Sequence, residues 1–117
     1  MIAIVDDDES VRYALQDLMQ AVGLTARTFA SAEEFLESGE HRNTGCLITD
    51  ICMPGMSGMQ LQTALNAAQC RIPTIFITAH GDEKVRMQAL KAGAVEFVSK
   101  PFDDDALVAS IRAVLES

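Results

Sequence analysis

Three short stretches of this chain, Ile2–Val5, Cys46–Ile48 and Ile75–Ile77, are apolar at every position rather than at every second one. A strand with one wet face alternates apolar and polar residues, whereas a strand covered on both faces does not. The three runs therefore read as interior strands of a parallel sheet flanked by helices. Their surroundings agree. Ile2–Val5 is followed by apolar residues at Val11, Leu15, Leu18, Met19 and Val22, a helical spacing that stops at Gly23. Thr25–Phe29 is a more polar strand, and Ser31-Ala32-Glu33-Glu34 has capping-box spacing before a helix through Phe35 and Leu36 that ends near Gly39.

Cys46–Thr49 runs into Asp50 and the breaker-rich Met53-Pro54-Gly55-Met56-Ser57-Gly58, after which Leu61, Ala64, Leu65 and Ala68 mark a third helix. Thr74–Thr78 is the fourth strand. Asp82 opens a helix with Val85, Ala89 and Leu90 inward and Gly93 at its end; Val95–Ser99 is the fifth strand. Pro101 breaks the chain, and Leu107, Ile111, Val114 and Leu115 carry the last helix. Strands thus begin near positions 2, 25, 46, 74 and 95, with a helix after each. That recurrence predicts a doubly wound, flavodoxin-like α/β domain, a five-stranded parallel sheet of order 2-1-3-4-5 with five helices, over residues 1–117. In such a sheet ligands sit beyond the carboxyl ends of the strands.

The residues at those ends carry the chemistry. The first strand ends in Asp6 and Asp7, the third in Asp50, the fourth in Thr78 and the fifth reaches Lys100. Clustered carboxylates repel and favour protonation unless a cation lies among them, and an oxygen-only set suits Mg²⁺. A metal, a reaching ammonium, a hydroxyl and a carboxylate nucleophile are the parts that hold a phosphoryl group. Single members have plainer explanations: Asp8 or Glu9 reads as a helix cap, and Asp103–Asp105 as the acidic first turn of the last helix. The coincidence of all five at one rim is what favours function.

Net charge bears on partners. Nine Lys and Arg against seventeen Asp and Glu leave −8, which opposes direct binding to nucleic acid or an anionic membrane. No apolar run reaches the length of a membrane span and no secretory signal pattern opens the chain, so the expected location is the cytoplasm. Cys46, Cys52 and Cys70 lack metal-ligand spacing and are expected as free thiols. Met53, Met56 and Met59 are expected to pack, and His41 to lie solvated in a polar loop.

Val5-Asp6-Asp7-Asp8-Glu9, Leu47-Ile48-Thr49-Asp50 with its Met-Pro-Gly-Met-Ser-Gly loop, Thr78-Ala79 and Lys100-Pro101-Phe102 together resemble a response-regulator receiver domain, most like receivers of the FixJ type. The resemblance spans essentially the whole chain. It implies a regulatory phosphoacceptor of a two-component or phosphorelay system, not an enzyme. Asp50 would take a phosphoryl group from a sensor histidine kinase or phosphotransfer protein. It further implies Mg²⁺ held by Asp7, Asp50 and the backbone carbonyl of Cys52, with Asp6 acting mainly through water.

By the same resemblance, Lys100, the Thr78 hydroxyl and the Ala79 amide would meet phosphoryl oxygens, and the Lys100-Pro101 bond would be cis. The side chains of Cys52 and His80 would govern water access. Thr78 and Phe97 would relay the event to a face formed by the fourth helix, fifth strand and fifth helix, with pairing of two copies as one readout and transcription as the output. Two rival readings have different sequence marks. An aspartyl-phosphate phosphatase of the haloacid-dehalogenase kind places its nucleophile after the first strand, and a phosphorylation-independent pseudo-receiver usually lacks one of the acids or the Lys. Whether the chain stands alone or regulates a longer DNA-binding protein stays open.

Overall fold

A computed structural model describes residues 1–79 and 83–116. In chain order it contains β1 (Ile2–Val5), α1 (Glu9–Ala21), β2 (Ala26–Phe29), α2 (Ala32–Ser38), a 3₁₀ turn (Glu40–Asn43), β3 (Cys46–Thr49), α3 (Gly58–Ala67), β4 (Thr74–Thr78), α4 (Glu83–Lys91), β5 (Glu96–Ser99) and α5 (Asp104–Leu115). All strands are parallel, in the order β2-β1-β3-β4-β5 expected from the sequence.

The continuous apolar runs are buried on both faces, as their lack of alternation required. Ile2, Ile4, Cys46, Ile48, Ile75 and Ile77 meet Leu15 and Met19 of α1 and Leu107 and Ile111 of α5. Ala3, Val5 and Leu47 turn the other way, onto Phe35 of α2 and Leu61 and Leu65 of α3. Phe76 of β4, Ala89 of α4 and Ile51 form a third cluster, flanked by Phe97 and Met59. Met53 and Met56 join the α2–α3 side, so the methionines pack as expected.

Capping fixes where the helices start. Asp8, Ser31, Ser57 and Asp103 each accept a backbone N–H of the first turn they precede. Ser57 and Gln60 make a complete reciprocal box. The Ser31 box is only half closed: the Ser31 hydroxyl accepts the Glu34 amide at 3.0 Å, while the Glu34 carboxylate accepts from Ala30 instead.

Several local expectations change. Val95 lies outside β5 and is 49% exposed, and Leu115, the last residue of α5, is 39% exposed, so neither belongs to the core. Ala68 caps α3 and is exposed rather than inward. His41 is not a solvated loop residue. It lies in the 3₁₀ turn, its ring edge-on to Phe35 at 6.2 Å, and its Nδ1 is buried without a partner among the described residues. The expectations for Asp82 as a helix start and for His80 fall outside the described residues. The three cysteines are free thiols, and burial pushes that of Cys46 up to about 11, which leaves it unreactive.

Candidate phosphoacceptor site

The sheet's own alternation builds the site. Asp6, Asp50 and Lys100 continue the phase of Ile4, Ile48 and Val98 past the ends of β1, β3 and β5, all residues of the α1–α5 side. The order of the sheet seats β1 beside β3, where the Asp50 amide donates to the Val5 carbonyl at 3.1 Å. Carboxylate oxygens of Asp6, Asp7 and Asp50 consequently lie within 4.8 Å of one another, an oxygen-only cluster of the kind that holds a divalent cation.

Each acid sits differently. Asp6 is buried, with Oδ1 accepting the Asp8 amide at 2.9 Å and Oδ2 accepting Lys100 Nζ at 3.1 Å. Asp50 is buried too; its Oδ1 accepts the Cys52 amide at 3.1 Å and its Oδ2 accepts Lys100 Nζ at 3.2 Å. Asp7 is exposed. Lys100, following β5 and joined to Pro101 by a cis peptide, bridges two acids that follow the neighbouring strands β1 and β3.

Burial is the main influence on Asp6 and pushes its carboxyl above the usual aspartate value; the Asp8 amide and Lys100 pull it back, and the Asp50 charge adds a smaller push. Mutual repulsion, the reason anticipated from sequence, is thus secondary to desolvation at Asp6. Burial would lower the Lys100 ammonium, but the hydrogen bonds and charges of Asp6 and Asp50 outweigh it and hold it above the usual 10.5. From neutral pH up to 10.5 the stabilisation from this bridge is complete, and it is lost as pH rises through the folded value. Urea unfolding from neutral to strongly alkaline pH should therefore show a loss of stability in the native protein that is smaller in Lys100→Met, itself less stable at neutral pH.

Thr78 closes β4, buried and paired across the sheet with Ser99; Ala79 follows it, exposed at the same rim. Phe97 pairs with Phe76 two residues earlier, so Thr78 and Phe97 stand on one face of the sheet. The Phe97 ring is only half-buried. Cys52 is exposed at the start of the loop after β3.

Three contributors were not singled out from sequence. Arg12 of α1 donates to the Asp6 carbonyl at 2.7 Å and holds the β1–α1 turn; its place one turn into the helix after the acids was the available hint. Gly58 comes so close to the Asp50 carbonyl that a Cβ there would overlap it. Glu33 of α2 reaches the loop that follows Asp50.

The sequence pattern of the response regulator receiver domain matches residues 2–112. The chain is a member of the response-regulator receiver family. Receivers with this chain's degree of likeness include the Transcriptional regulatory protein FixJ of Azorhizobium caulinodans, 41% identical over 97% of this chain and 54% of that protein. The Response regulator protein TodT of Pseudomonas putida is 44% identical over 99% of this chain and 51% of its own length. Among solved structures, the response regulator StyR superposes with a TM-score of 0.90 at 46% identity, over 98% of this chain and 58% of that one. The chain spans about half the length of the curated relatives it matches. As a receiver it is a regulatory phosphoacceptor rather than an enzyme turning over a substrate, and its acidic cluster is of the type that binds a divalent metal. No helix among the described residues is long and apolar enough to cross a membrane.

Proposed function

We propose that Asp50 is the phosphoacceptor, receiving a phosphoryl group from the phosphohistidine of a sensor histidine kinase or phosphotransfer protein in a Mg²⁺-dependent reaction. The observation that carries this is the placement of the Asp50 carboxylate, bonded to Lys100 and within 4.8 Å of oxygens of Asp6 and Asp7. Its oxygen attacks phosphorus, the P–N bond breaks with its electron pair leaving on the histidine nitrogen, and an acyl phosphate forms. The donor set fits Mg²⁺: Asp7, Asp50 and the Cys52 carbonyl would hold it, with Asp6, whose oxygens already accept from Asp8 and Lys100, acting through water. Bound there, the ion supplies charge relief to the phosphoryl oxygens.

The chain's own groups supply the rest. Lys100 moves its ammonium from the Asp6–Asp50 bridge to a phosphoryl oxygen, and the Thr78 hydroxyl and Ala79 amide donate to others. Drawing Thr78 toward the site makes room on its face of the sheet for the half-buried Phe97 ring to turn inward. That rearrangement would alter the face of α4, β5 and α5, where Lys84, Arg86, Lys91 and Glu96 present charges to a partner or a second copy. Relatives named as transcriptional regulators support a cytoplasmic role in controlling transcription, with residues 1–117 as the receiver unit. The surplus of negative charge argues against this unit binding nucleic acid itself.

Incubation with acetyl phosphate and Mg²⁺ should add the mass of one phosphoryl group, and beryllofluoride should shift the Phe97 ring and the sedimentation coefficient. An unmodified protein at saturating Mg²⁺ would overturn the reading, and sustained hydrolysis of phosphate monoesters would favour a phosphatase. Because an ion that binds only the folded state stabilises it, Mg²⁺ should raise the melting temperature. Asp7→Ala should remove most of that rise; a full response in this variant would place the ion elsewhere.

A further inference from the structure

The loop between β3 and α3 carries the Cys52 carbonyl, and its near end is well anchored. The Cys52 amide donates to Asp50, the Gly58 amide donates to the Ile51 carbonyl at 3.0 Å, and Met53 is buried against Phe35 and Leu61. Its tip has a different support. The Glu33 carboxylate, in the first turn of α2, accepts the Met56 amide at 3.2 Å across 23 residues of sequence. Gly55 beside it has φ +75°, and a Cβ there would meet the same Glu33 oxygen at 2.5 Å. The missing side chain at Gly55 is thus what lets the carboxylate lie against the backbone. Helix α2 itself is fixed to the sheet by the fully buried Ala32 and Phe35 on either side of Glu33, so the clamp has a rigid base.

We propose that Glu33 is a positioning residue for the metal-binding loop: its hydrogen bond to Met56 holds the tip so that the Cys52 carbonyl is presented to the ion in advance. This rests on the metal assignment above, and Glu33 touches neither ion nor phosphoryl group. Removing a group that orients a ligand weakens metal binding by about tenfold or more when it bonds the ligand directly. Glu33 acts four residues away, so a loss of roughly three- to tenfold is expected.

The test compares native protein, Glu33→Ala and Glu33→Gln. Mg²⁺ affinity is measured by calorimetry, and the exchange rate of the Met56 amide by NMR without metal. Glu33→Ala should weaken Mg²⁺ binding and speed Met56 exchange with little change in melting temperature. Glu33→Gln, which keeps an acceptor but no charge, should restore both. Equal affinity in native protein and Glu33→Ala would overturn the proposal, as would Glu33→Gln behaving like Glu33→Ala, since long-range charge would then be the cause. Native protein that binds no Mg²⁺ would overturn the metal assignment and the presenting role with it, while unchanged Met56 exchange in Glu33→Ala would overturn the clamp alone.

Discussion

Asp50→Asn protein incubated with acetyl phosphate and Mg²⁺ is expected to stay at its unmodified mass while remaining folded. The substitution conserves shape and keeps an oxygen able to accept the Cys52 amide, so the turn after β3 should hold. It removes the proposed nucleophile, because a neutral amide offers phosphorus no anionic oxygen. It also presents an N–H₂ group where Lys100 now finds an acceptor, leaving Asp6 as the ammonium's remaining partner. Far-ultraviolet circular dichroism should therefore match the native protein while intact-mass spectrometry shows no adduct. An adduct on the Asn variant would move the acceptor to another residue.

Gly58→Ala should be the most damaging of the single-methyl changes at the described glycines. An alanine Cβ at the start of α3 would overlap the main-chain carbonyl of Asp50 and press on the Cα of Ile51 at 3.1 Å. Neither is the yielding end of a side chain, so backbone has to shift. Overpacking of this kind costs about 3 kcal/mol, the upper part of its usual range. For a domain of this size that is a fall of roughly 10 °C in melting temperature. The strain also falls on the peptide of Asp50, the proposed acceptor, so phosphorylation should slow even at a temperature where the variant is folded. Gly23→Ala is the control: φ is +78° but no atom lies within 4 Å of the added methyl. It should lose about 1–2 kcal/mol to backbone strain and keep the native phosphorylation rate. Equal phosphorylation rates in the two variants would show that Gly58 serves α3 and not Asp50.

Much of this was legible in the sequence because strands buried on both faces cannot alternate, and Ile2–Val5 and Ile75–Ile77 carry that mark without ambiguity. Strand ends locate the rim, so Asp6, Asp50 and Lys100 could be grouped before any distance was known. What escaped depends on tertiary approach. Gly58 looks like one more helix breaker until the Asp50 carbonyl is found against it, and Glu33 looks like a solvated first-turn acid until Met56 is found above it. Val95 and Leu115 misled in the opposite direction, being apolar residues at element ends where the sheet and α5 no longer cover them. The Ser57–Gln60 box was written in the sequence and was masked by the turn residues before it.

The Lys100 bridge joins residues 94 and 50 positions apart, and this has a bearing on biosynthesis. While the last strand is still inside the ribosome, the emerging chain already contains Asp50 and both neighbouring acids but not the Lys100 ammonium that bridges Asp6 and Asp50. Those acids come together only as crowded negative charge, a poor reception for an incoming phosphate trianion. The ammonium that balances this rim therefore arrives only with the final strand, after all three acids have been made.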